Sequence, residues 1–144
     1  MTDFHSIPIG SILPQQPPFR FVDHLESYTE EATVVSFTVR EGSMLLEEDG
    51  SLSAAGVMEH MAQASAARVG YVTVYILHKP VSIGFIGQVK HFVLNRLPRL
   101  GEQLRTTVYL KQEIFGISLA DIEVRSGEEL LASATLKTAL NDDK

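Results

Sequence analysis

The chain contains no cysteine. That excludes disulfides, thiolate nucleophiles and thiolate zinc sites, and it fits a reducing compartment. No apolar run approaches the roughly 20 residues of a membrane span. Met1 to Gly10 carries Asp3 and His5 and lacks the apolar core of a signal peptide. The expectation is a soluble cytoplasmic protein. No two of the five histidines stand at the His-x-x-x-His spacing of a helical metal site, so no metal is expected. A glycine-rich phosphate loop and a Gly-x-Ser-x-Gly elbow are also missing, and no cofactor is expected. Acid is scarce in one place only. Between Arg68 and Lys111 stand seven basic residues and one acid, Glu102, in a chain whose net charge is −6. The total argues against nucleic-acid binding. The local excess of +6 reads either as ordinary solvated faces or as a landing patch for an acidic partner or phosphorylated ligand.

What is present suits one domain over residues 1–144, with 1–11 and 141–144 extended or frayed. "EATVVSFTVR" alternates, with Val35, Phe37 and Val39 on one side, and predicts a strand. "SLSAAGVMEHMAQASAARVGY" predicts a helix, with Ser51 or Ser53 placed to cap it. Whether it runs on through "VTVYIL" is left open by the periodicity. Ala54, Ala55, Gly56, Ala62, Ala64, Ala66 and Ala67 put small residues on nearly every face, as in a helix surrounded by protein. Four β-rich runs follow, separated by "LPRLGE", "FG" and "SGEE", and read as a four-stranded antiparallel meander. The apolar phase slips between Leu119 and Ile122, which suggests a bulge. The class is α+β: a curved antiparallel sheet wrapped around one long central helix.

One residue inside the helix carries chemistry. "GVMEHMAQ" sets Glu59 among small and apolar neighbours. A carboxylate there needs a partner or a purpose. It is either paired structurally, with His60, Arg68 or a basic strand residue, or poised as a general acid or base. Gln63 stands at i+4, where its amide can hold the Glu59 side chain. Of the other histidines, His5 is near the terminus, His78 ends an apolar run, His91 alternates with apolar residues and His24 follows "FVD". A lone histidine is more often structural than catalytic.

Several motifs now line up. "LPQQPPF" resembles the "LPHRxPF" signature of the 3-hydroxyacyl-acyl-carrier-protein dehydratases of type II fatty acid synthesis, the FabZ/FabA-like hotdog proteins. "FVDH" is similar to the "LVDR" that follows it, and "EHMAQA" to "E-x-x-A-Q-A" on the central hotdog helix. "FIGQVKHF" with "LPRLGE" looks like the later strand and its turn, Pro98 to Glu102. The likeness spans Ile12 to Leu140, and its overall look matches divergent dehydratase-like proteins of polyene-pigment and lipid pathways.

The resemblance implies a hotdog dimer in which a histidine and a helix carboxylate act across the interface. The acyl chain lies between subunits, delivered by an acyl carrier protein or as a CoA thioester. Glu59 falls on the carboxylate. Gln15 falls where the signature has its histidine, and glutamine carries no useful proton affinity near neutral pH. The family's "GHFPG" loop has no counterpart in "MLLEEDGSLSAAG", so backbone N–H groups near Ala55 and Gly56 are the candidates for polarising a thioester. Gly56, Gln63 and Phe19 are the expected substrate-binding residues. Three functions follow: a dehydratase using Glu59, alone or with His24 or His60; a hotdog acyl thioesterase in which Glu59 activates water or attacks, with Gln15 or Gln63 positioning the water; or a catalytically inactive acyl-binding subunit. The last includes an inactive partner of an active dehydratase, a paralogue that contributes the missing histidine in a heterodimer; otherwise the open sheet edges lead to the expectation of a symmetric homodimer with a continuous sheet.

Overall fold

A computed structural model describes residues 3–80 and 84–140. Six strands form one antiparallel sheet: β1 (His24–Tyr28), β2 (Ala32–Thr38), β3 (Gly84–Leu94), β4 (Gln103–Ile114), β5 (Ile117–Ser126) and β6 (Glu129–Leu140). The helix α1 (Ala54–Tyr71) packs on the concave face, and the spatial order is β1-β2-β4-β5-β6-β3. This is the α+β plan expected from the sequence. Val35, Phe37 and Val39 are buried together, as their alternation predicts. They share the core with Leu104, Val108, Ile122, Val124 and Leu136 from the neighbouring strands and with Val57, Met61 and Ala64 from α1.

Three expectations about the sheet need correction. The last four strands are not a simple meander. β4, β5 and β6 are consecutive neighbours, but β3 pairs with β6 at the far edge, and β4 pairs with β2. The reason lies in the "LPRLGE" turn. Gly101, at φ +84°, donates to the Val39 carbonyl, and Val39 donates to Glu102. Glu102 in turn receives the Arg99 amide and both ends of the Arg96 guanidinium. The chain is thereby steered back along β2. A short strand, β1, also precedes β2, in a segment whose pattern is too brief to announce it. Finally, the irregularity near Leu119 lies in the partner strand. Leu110 faces Ala120 and Gln112 faces Leu119, so Lys111 is the extra residue. β5 keeps its phase, with Ser118, Ala120, Ile122 and Val124 inward and Leu119 outward.

Residues 141–144 fall outside the described residues. At the other end, Phe4–Ser6 and Ile9–Ser11 form 3₁₀ turns rather than an extended arm. Phe4 packs edge-on against Tyr71, and His5 stacks on His24. After Tyr71 the helix continues for one π turn, Val72–Ile76, which resolves the question its periodicity leaves open. The backbone of Ile12 crosses α1 at Gly70, where a Cβ would collide with the Ile12 carbonyl oxygen. We predict that Gly70→Ala destabilises the protein by about 1–3 kcal/mol, as overpacking against immovable backbone does. Urea unfolding measures this. An unchanged midpoint would show that the Ile12 segment is free to shift.

Candidate active site

The start of α1 is fixed by three contacts. The Ser53 amide donates to the Leu45 carbonyl, the Leu52 amide donates to Pro98, and the Ser53 hydroxyl accepts from the Gly56 amide at 3.1 Å. Ser53, not Ser51, is therefore the cap. Gly56 is needed for packing, since a Cβ would strike the Leu52 side chain and crowd the Leu45 carbonyl. Its N–H is spent on the cap, so it is not a free donor. The amides of Ala54 and Ala55 precede the first intrahelical bond, from Val57 to Ser53.

One turn further, Glu59, His60 and Gln63 meet the lip formed by Leu13–Phe21. The Gln63 carbonyl oxygen accepts from the Phe21 amide at 2.6 Å. That leaves the amide nitrogen to donate to the Phe19 carbonyl and to Glu59 Oε2, both at 2.8 Å. The acceptor role toward Phe21 N–H fixes which end of the amide is which. His60 completes the grip. Its Nδ1 lies 2.7 Å from the Phe21 carbonyl and its Nε2 2.6 Å from the Thr106 hydroxyl. A carbonyl only accepts, so Nδ1 carries the proton and Thr106 donates to Nε2. Both backbone groups of Phe21 are thus held by helix side chains.

Glu59 opens onto a groove of about 310 Å³ between α1 and the inner face of β3 and β6. Ala55, Met58, Met61, Ala62, Val89 and Phe92 are among its walls, with Ala134 and Leu136. Among the described residues, Glu59 is the one charged residue in the lining. A larger cleft, about 420 Å³, lies on the other side of the lip and holds His24, Arg20 and an Arg40–Asp23 ion pair at 2.8 Å. It does not contain Glu59.

The structure therefore brings Glu59, Gln63 and Phe19 together. Gln15 is not among them: its backbone carbonyl accepts from Arg20, and its side-chain oxygen is buried with no partner among the described residues. His24 and His60 belong to the outer cleft and the core, so neither lines the groove. The clamp on Phe21 is the part that sequence reasoning missed; its one signal is the i, i+3 placement of His60 and Gln63 on a single helix face. The basic excess of Arg68–Lys111 is dispersed rather than gathered. Arg68 is buried beside Glu113, Arg96 is held by Glu102 and Glu129, Arg105 lies near Glu26, and Lys111 lies near Asp121.

A family model described as ApeP-like, ApeP dehydratase, matches residues 7–144. The chain belongs to the ApeP-like dehydratase family. No curated protein sequence matches it. Among solved structures, the dehydratase heterocomplex ApeI:P from Xenorhabdus doucetiae superposes with a TM-score of 0.86 at 18% identity, covering 95% of this chain and 93% of that one. The PaaI protein of the E. coli phenylacetic acid degradation operon gives 0.62 at 16% identity, with 80% of each chain covered. A hypothetical thioesterase from Streptococcus pneumoniae, solved with coenzyme A, gives 0.65 at 15%, covering 81% and 86%. At these identities the structural likeness shows the hotdog fold, and the family match carries the word dehydratase.

Within this ApeP-like chain, His60 makes stability depend on pH. Burial pushes its pKa down from 6.5 to about 4, against the opposing pull of its bond to Phe21 and of Asp23. A histidine that stays neutral when folded takes up a proton on unfolding once the pH falls below 6.5. Stability from this group is complete above 6.5 and declines as pH drops toward 4, by on the order of 3 kcal/mol in total. Urea unfolding across that range should show the decline, and the His60 ring should titrate near 4 by NMR. A ring that titrates near 6.5 in the folded protein would contradict the buried, neutral assignment.

Proposed function

We propose that the chain is the Glu59-bearing half of a dehydratase for 3-hydroxyacyl thioesters on an acyl carrier protein, and that a paralogous hotdog chain supplies the missing imidazole. The observation that carries this reading is the carboxyl group. One of its oxygens is tied to Gln63, the other has no partner among the described residues, and the apolar groove around it contains no histidine. Neither the lip, with Gln15, nor residues 41–53 before the helix contain a histidine. Membership of a dehydratase family supports the reaction class, and the neighbour that is itself a heterocomplex supports a mixed pair. β3 stands at the sheet edge, where a second chain can pair.

The proposed chemistry divides its tasks among these groups. Imidazole from the second chain removes the proton alpha to the thioester carbonyl. The electron pair forms the Cα–Cβ double bond as the Cβ–O bond breaks. Glu59 delivers its proton to the departing hydroxyl, which leaves as water. Gln63 donates to Oε2, so the mobile proton belongs on Oε1. The Ala55 N–H, on the groove wall and free of the cap, polarises the thioester oxygen in place of Gly56. Phe19, 58% exposed on the lip, faces the incoming arm. Gln15 shapes the lip and moves no proton.

A second reading, an acyl thioesterase, is favoured by one fact: a single carboxylate in an apolar groove can activate water without a histidine. The assays separate the readings. We expect the chain alone to dehydrate a 3-hydroxyacyl thioester poorly, and the co-purified pair to do so readily. Glu59→Gln in the pair should cost about 10²–10⁴-fold in kcat. Gln15→His in the chain alone should restore little. Full activity of the Glu59→Gln pair would overturn the proposal. Release of free thiol from a simple acyl thioester would favour the thioesterase. Silence in both assays would leave an acyl-binding subunit.

A further inference from the structure

The outer face of the sheet carries a feature that the dehydratase reading does not use. β4 and β5 are joined by the two-residue turn Phe115-Gly116, with φ +53° and +79°. A turn with both residues in the left-handed region favours Asn-Gly or Asp-Gly. Phenylalanine there is disfavoured by its backbone, and it is also 99% exposed to water. Two unfavourable choices at one residue mark a site kept for a purpose. Ile114 and Ile117 flank it, 50% and 42% exposed. With Leu119 they floor a shallow cleft of about 400 Å³ whose rim holds Lys90 and Lys137. Neither lysine has a carboxylate partner among the described residues. Two acids of β4 and β5 are held by other groups: Glu113 by Arg68 and Ser118, Asp121 by Thr135 and Lys111.

We propose that this hairpin tip is an anchor for an anionic lipid surface: Phe115 and its isoleucines enter the headgroup boundary and Lys90 and Lys137 meet the lipid phosphates. The charge is complementary to such a surface. A second copy of the chain is disfavoured because a two-fold contact here would bring like-charged lysines together. An acidic protein is disfavoured because the eight lining residues fall short of the roughly 20–30 a side that a stable partner covers. The patch lies on Gln88, Lys90 and Lys137, across β3 and β6 from the Glu59 groove with its Val89 and Leu136. Anchoring would therefore leave that groove facing away from the bilayer. Binding of this kind, one aromatic and two cations, is weak and reversible.

The test uses the full chain, alone and with its co-purified partner, sedimented with vesicles of phosphatidylcholine or of phosphatidylcholine mixed with phosphatidylglycerol. Binding should appear only with the anionic vesicles and fall with added salt. Replacing Lys90 and Lys137 by Gln should weaken it about 5-fold each. Phe115→Asn is the sharper variant, since asparagine suits the turn. It should abolish sedimentation while thermal stability holds or rises. Absence of binding to anionic vesicles, or binding indifferent to Phe115→Asn, overturns the proposal. So does a Phe115→Asn protein that dissociates from its partner in light scattering, which would make the tip a protein interface.

Discussion

The grip of α1 on the backbone of Phe21 organises the end of the molecule that holds Glu59. Residues Leu13 to Asp23 follow an irregular path, so most of their amides and carbonyls have no sheet ladder to join. Buried backbone groups need partners all the same. The helix supplies them: the Gln63 oxygen takes the Phe21 N–H, and the His60 ring takes the Phe21 carbonyl. The same Gln63 amide holds Glu59. Lip, amide and carboxylate are therefore one connected unit, and its inner end is tied through Thr106 to the middle of the sheet. A shift of the lip would move the carboxylate, because one side chain serves both.

Electrostatics positions this unit from the other end of the helix start. Arg96 forks between Glu102 and Glu129 with nitrogen–oxygen distances of 2.7 to 2.9 Å. These bonds hold the Glu102 carboxyl down to about 2 and raise Arg96 further above its ordinary value. The groups are partly solvated, so little net stability is expected from each pair. Their value is geometric. They lock the turn whose Pro98 carbonyl receives Leu52, immediately before the cap at Ser53. Of the basic residues between Arg68 and Lys111, Arg96 is scaffolding of this kind, and Arg68, Arg105 and Lys111 each lie beside an acid.

The parts of the fold governed by local pattern were legible: the alternating strand around Val35–Val39, the small-residue helix and the last three strands. Strand order was not, because it depends on where the Pro98–Glu102 turn sends the chain, and that is set by Arg96, Glu129 and the Val39 backbone, far apart in sequence. The neighbourhood of Glu59 was half legible. An i+4 amide can be read from spacing, and Gln63 does contact Glu59. Its second and third bonds, to Phe19 and Phe21, depend on a lip that no periodicity describes. Gly56 illustrates the same limit. The resemblance made its N–H, near the helix start, a candidate to polarise a thioester, whereas a Cβ there would strike Leu52 and the amide is spent on Ser53.

The groove around Glu59 is apolar, yet in the single chain it stands open: Met58 is 39% exposed, and Val89, at the sheet edge, 37%. An apolar surface beside an unpaired strand edge is costly to leave in water. Covering it has a chemical consequence as well as a stabilising one. In an open groove water competes for the free oxygen of Glu59 and screens any charge that develops nearby. A chain laid along β3 would expel that water and lower the local dielectric, which would strengthen the Gln63 bond and, on the proposed mechanism, the attraction of the Ala55 amide for a developing oxyanion. On the proposed function, the same covering chain would supply the imidazole that the Glu59 groove lacks among the described residues. On that proposal assembly and reactivity are one requirement, since the surface that needs a partner for stability would be the surface that needs one for chemistry.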